Sequence, residues 1–145
     1  MTLPSALLIA AALIALAAVV GVLLRRRDGR RTDARDGERV DPTHLSPATL
    51  GSGATLVQFS TEFCARCPQV RRLLGDLAAE RPGVVHAEVD LTHRADLASR
   101  YRVLSTPTTL LVDPDGRILT RFTGVPSRPA LLAALDDVAH LQEAS

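Results

Sequence analysis

The sequence predicts an α/β domain, a βαβ unit followed by a β-hairpin and a covering helix, carried behind one long apolar N-terminal helix. Three observations carry this. The first is an uncharged stretch from Leu3 to Leu24. The second is a change of hydrophobic period along residues 54–141, from strand-like runs to helical spacing and back. The third is a pair of cysteines, Cys64 and Cys67, which follow the first strand and open the first helix of that order.

The 22 residues of the apolar stretch would form a helix roughly 33 Å long at about 1.5 Å per residue, enough to cross a hydrocarbon core of about 30 Å. No basic residues precede it, and it is long for the apolar region of a cleaved signal, so residues 3–24 are expected to be a retained transmembrane anchor. Residues 25–41 follow, with seven Arg against five acids and no hydrophobic periodicity. They are expected to be an Arg-rich flexible linker, with a folded domain over residues 42–145. Basic residues flank only the C-terminal side of the apolar run. Positive-inside reasoning puts a single-pass protein in the cell membrane with its domain expected in the cytoplasm, the extracytoplasmic side being the alternative.

Within the domain, residues 44–50 are expected to form a short helix capped by Ser46 with Pro47 at its first position. Ala54–Ser60 is a buried strand. Val70, Leu73, Leu74, Leu77 and Ala78 fall at i, i+3, i+4, i+7 and i+8, one face of a helix over 64–80. Pro82–Gly83 ends it. Val84–Leu91 is a second strand and Ala95–Tyr101 a short helix. Thr108–Asp113 and Arg117–Thr123 are strands joined by a turn at Pro114–Asp115–Gly116. Ser127 caps a last helix with Leu131, Leu135, Val138 and Leu141 on its inner face.

Composition narrows the function. Hydrophobic residues make up 46% and charged residues 23% of the 145, so a packed core is expected, and the net charge of +1 gives no pull towards nucleic acid. The chain has two cysteines, leaving none to spare for a scaffold of disulfides; their use is chemical or metal-binding. Tetrahedral zinc needs four ligands, and His44, His86, His93 and His140 are not clustered in sequence. No metal is expected, and neither a Gly-rich phosphate loop nor a haem-attachment motif is present, so no cofactor is expected.

A thiol at a helix N-terminus is stabilised as thiolate by the free N–H groups and the helix dipole. Cys64, at the start of the expected helix, is therefore the attacking thiol. Cys67, one turn in, can resolve the mixed disulfide. Arg66 adds positive charge. Ser105-Thr106-Pro107-Thr108 precedes the third strand. Its context suggests a cis-proline facing the cysteines, with the Thr106 backbone offered to an extended substrate. Phe63, next to Cys64, is a third candidate substrate contact.

Strand–Phe63-Cys64-Ala65-Arg66-Cys67–helix, Thr106-Pro107 about 40 residues on, Pro114–Gly116 in the hairpin and Gly124 after the last strand together resemble the thioredoxin family, over about Ala54 to Leu141. The resemblance implies a thioredoxin-like fold with a central mixed sheet flanked by helices. It also implies exchange of a Cys64–Cys67 dithiol and disulfide with protein or small thiol substrates, a thiol reductant or oxidant as partner, and a cis Pro107. A redox-silent binding adaptor and a thiolate metal module are the competing readings. Three departures stand out. Phe63 replaces the usual Trp, and Ala65-Arg66 replaces Gly-Pro. Gln58 occupies the place of a buried Asp that helps deprotonate the resolving thiol, and an amide cannot act as a base. Glu62 and His86 are candidate helpers, although a strand histidine is more often a polar-face residue.

Overall fold

The computed structural model describes residues 3–27, 29–34 and 37–144. Helix α1 (Leu3–Arg27) is followed by β1 (Arg30–Asp33), a 3-10 turn (Pro42–His44), β2 (Ala54–Ser60), α2 (Cys67–Glu80), β3 (Val84–Asp90), α3 (Ala95–Arg100), β4 (Thr108–Val112), β5 (Ile118–Thr123) and α4 (Arg128–Glu143). Pro4–Leu24 has a mean hydropathy of 3.0 and none of it is buried against the rest of the chain. By length and composition this helix can cross a membrane, and a signal sequence would meet the same criteria.

The sheet order is β1-β5-β4-β2-β3. β2 and β3 run parallel, as a βαβ unit requires, and the other neighbours are antiparallel. All seven residues of β2 are buried, because both faces of this central strand are covered. Val57 and Phe59 point to one face, with Leu97 and Tyr101. Leu56 and Ala54 point to the other, against Val70, Leu74 and Leu77 of α2 and Leu131, Leu135 and Val138 of α4. The alternation is the two-residue period of a strand. The hairpin closes on the Asp113 carboxylate, which accepts from the N–H groups of Asp115 (2.9 Å) and Arg117 (2.8 Å). Gly116 sits there at φ 83°, where a side chain would be strained.

The expected order from β2 to α4 holds, and four details differ. The described part of residues 25–41, expected to be a flexible linker, carries regular structure. α1 continues to Arg27, β1 pairs with β5 along Arg30↔Thr123 to Asp33↔Thr120, and Val40 is buried in the core. The domain's sheet thus begins before residue 42. The strand was invisible because all four of its residues are exposed, so it pairs through backbone alone and leaves no hydrophobic period. Residues 44–50 are not a helix. The turn lies at Pro42–His44, capped by the Asp41 carboxylate. Ser46 cannot cap a helix because its backbone exchanges two hydrogen bonds with Glu88, each 3.0 Å. The helix expected over 64–80 starts at Cys67. Leu141, in the last turn of α4, is exposed rather than inward-facing.

Candidate redox site

The site forms where β2 ends. Past Ser60 the chain leaves the sheet, turns through residues 61–66 and enters α2 at Cys67. The Cys64 N–H donates to the Thr61 carbonyl (3.2 Å) and the Cys67 N–H to the Cys64 carbonyl (3.3 Å). Cys64 therefore sits in the turn before the helix, and Cys67 is its first residue. The two are joined as a disulfide with Cα atoms 5.4 Å apart. Cys64 is half-buried, whereas Cys67 is only 2% exposed. Phe63 projects into solvent, 85% exposed.

A second loop lies beside this turn. The Thr106–Pro107 peptide bond is cis, and Pro107 is buried. Pairing of Phe59 with Thr108 brings the start of β4 next to the end of β2. The hydroxyls of Thr61 and Thr106 meet at 3.4 Å, linking the two loops directly. Thr108 Oγ1 donates to the Ser105 carbonyl (2.7 Å), and Gly124 N–H donates to the Pro107 carbonyl (2.9 Å). Cys64, Cys67, Phe63, Thr106 and Pro107 thus gather at one end of the sheet.

Beneath the cysteines lies a polar chain that the sequence did not reveal as connected. The fully buried Gln58 donates from Nε2 to the Cys67 carbonyl (2.9 Å), and its Oε1 faces His86 Nε2 at 3.1 Å. Because the amide nitrogen is committed to a carbonyl, the amide oxygen must accept, and His86 Nε2 must carry a hydrogen. Burial pushes the His86 pKa down from 6.5, with the Glu88 charge opposing and Arg71 reinforcing the shift. Glu88 receives two hydrogen bonds from Arg71, at 2.8 and 2.6 Å, and one from the Ser60 hydroxyl. The Arg71 bond chiefly holds the Glu88 carboxyl below its usual range. Glu62, the other candidate helper, is exposed and its N–H is taken by Thr92 Oγ1 at 3.0 Å. Among the described residues, no three His, Cys, Asp or Glu side chains come together as a metal site would require.

Comparison with known proteins agrees with this geometry. The thioredoxin family model matches residues 47–137. A thioredoxin of Mycobacterium tuberculosis is 32% identical over 111 residues, covering 74% of this chain and 95% of the relative. A thioredoxin of Chlamydia trachomatis is 33% identical over 84 residues, covering 58% of this chain and 81% of that protein. In fold, a mutant thioredoxin from Halobacterium salinarum superposes with a TM-score of 0.53 at 24% identity, over 60% of this chain and 75% of that one. With the sheet order, the paired cysteines and the proline loop in agreement with a match over most of the folded part, the chain belongs to the thioredoxin family and is a thiol–disulfide oxidoreductase.

Proposed function

We propose that this chain is a membrane-tethered dithiol–disulfide exchange enzyme in which Cys64 attacks, Cys67 resolves, and Phe63, Thr106 and Pro107 receive the substrate. The observation that carries the reading is the unequal burial of the cysteines, with Cys64 reachable and Cys67 sealed at the first position of α2. The N–H groups at the start of α2 favour negative charge on sulfur in their vicinity. In the reducing direction, the Cys64 thiolate attacks one sulfur of the substrate disulfide. A Cys64–substrate disulfide forms, and the other substrate sulfur leaves as a thiolate. Cys67 then loses its proton and attacks the Cys64 sulfur. The second substrate thiolate leaves, and the Cys67 proton and one from solvent convert both leaving thiolates to thiols. Two electrons pass from protein to substrate, and a thiol reductant restores the dithiol. With a dithiol substrate every step reverses.

The tether is α1. Its length and apolarity suit a bilayer span, and Arg25, Arg26 and Arg27 at its C-terminal end favour a cytoplasmic domain. The full-length protein should resist alkaline carbonate extraction from membranes, and in detergent it should reduce insulin with dithiothreitol as donor. Cys64→Ser should lower that rate to the uncatalysed background. Undiminished insulin reduction by Cys64→Ser would refute the assigned chemistry. An impermeant maleimide applied to intact, reduced cells should leave Cys64 unlabelled; labelling would reverse the side.

A further inference from the structure

The site end of the sheet is also the end from which α1 departs. β1 begins at Arg30 opposite Thr123, and Thr123 in turn pairs with Thr108, the residue after Pro107. The Gly29 N–H donates to the Thr123 carbonyl at 2.7 Å, and the next residue, Gly124, donates to Pro107. A side chain at Gly29 would run into the Val125 carbonyl, with its Cβ only 2.6 Å away, so this entry point is closely fitted. Three Cα–Cα steps separate Arg27, the last residue of α1, from Arg30, and they span at most about 11 Å. β1 and β2 are three strand spacings apart, about 14 Å. The strand pairing therefore hangs the domain by its redox end. The two exposed large apolar side chains at that end, Phe63 and Leu104 (85% and 98% exposed), flank the cysteine turn and the proline loop. Leu141, similarly exposed, lies beside the 113–117 hairpin at the opposite end.

We infer that the Cys64–Cys67 pair faces the bilayer surface and that its substrates are thiols and disulfides of membrane-inserted proteins, held close to the lipid headgroups. This rests on α1 spanning the membrane, as proposed above. A connection this short keeps the site's effective concentration high near the membrane and low in bulk solution. Phe63 and Leu104 are then the apolar rim that meets the membrane-proximal segment of such a client.

The chain has no Trp, so single-Trp reporters are available. Full-length Phe63→Trp and Asp115→Trp variants would be reconstituted in phosphatidylcholine vesicles containing dansyl-headgroup lipid. The two positions lie at opposite ends of a sheet about 20 Å long. Energy transfer should be several-fold stronger from the tryptophan of Phe63→Trp than from that of Asp115→Trp. Inserting about twenty Gly-Ser residues after Arg27, with a reach of about 25 Å, should erase the difference. The parent protein should also reduce a disulfide peptide coupled to lipid through a short spacer several-fold faster than the same peptide free in solution. The insertion should remove that preference and leave the free-peptide rate unchanged. Equal transfer from both positions, stronger transfer from Asp115→Trp, or no preference for the lipid-coupled peptide overturns the inference. Failure of the protein to float with vesicles overturns the membrane reading and this inference with it. Loss of exchange on the free peptide points instead at the oxidoreductase chemistry.

Discussion

The Gln58 side-chain amide donates a 2.9 Å hydrogen bond to the main-chain carbonyl of Cys67, from a position with no solvent exposure. This amide ties down the first residue of α2 without offering a base to the Cys67 thiol, and its oxygen is engaged by His86. Gln58→Leu removes the donor and leaves the half-buried His86 N–H without its acceptor. An unsatisfied buried polar group costs about 1–3 kcal/mol, so urea unfolding followed by circular dichroism should show a loss in that range. An unchanged midpoint would mean the chain of bonds is not formed in solution.

The same cluster sets a dependence of stability on acidity. Folded His86 resists protonation, so in the unfolded chain it binds more protons just below pH 6.5. Its contribution is fully present above pH 6.5 and is lost as pH falls through the lower folded-state value. Glu88 contributes above pH 4.5, and that contribution is lost as pH falls through its own depressed value. Unfolding free energy measured from pH 8 to pH 3 should therefore decline in two stages, the second centred below pH 4.5. His86→Asn should flatten the first stage and spare the second. A stability that rises on acidification below pH 6.5 would contradict the assignment.

β1 makes the N-terminal boundary of the domain a matter of backbone pairing. A fragment of residues 29–145 keeps β1, the Arg31–Asp137 ion pair at 2.9 Å and the buried Val40. A fragment of residues 42–145 loses all three. The surface ion pair counts for little, whereas burying Val40 alone is worth about 2 kcal/mol. The shorter fragment should be less stable by at least about that amount in a denaturant titration, and equal stability would return residues 29–41 to the status of a loose tether.

Much of this fold could be read from the chain because burial leaves a period. β2, α2 and α4 declared themselves through Leu56, Val70, Leu74, Leu77, Leu131 and Leu135, all buried as the spacing required. The cysteines and Thr106–Pro107 were legible because their residue types are tied to a chemistry and a backbone geometry. What stayed hidden depends on contacts across the sequence. β1 consists of exposed Arg, Thr and Asp residues whose strand conformation is imposed by β5. Ser46 reads as a cap until Glu88 takes its backbone. Gln58 read as a missing base, and only tertiary structure reveals it as the link between His86 and Cys67. The late start of α2, at Cys67, follows from the turn in which Cys64 N–H returns to Thr61.

Trapping the exchange intermediate addresses the division of labour between the two sulfurs. Reduced full-length Cys67→Ser, mixed with a disulfide-bonded peptide and analysed by mass spectrometry, should accumulate a one-to-one mixed disulfide on Cys64. Cys64→Ser, with its remaining thiol buried at the head of α2, should accumulate none on the same timescale. An adduct formed faster on Cys67 in Cys64→Ser than on Cys64 in Cys67→Ser would contradict the account.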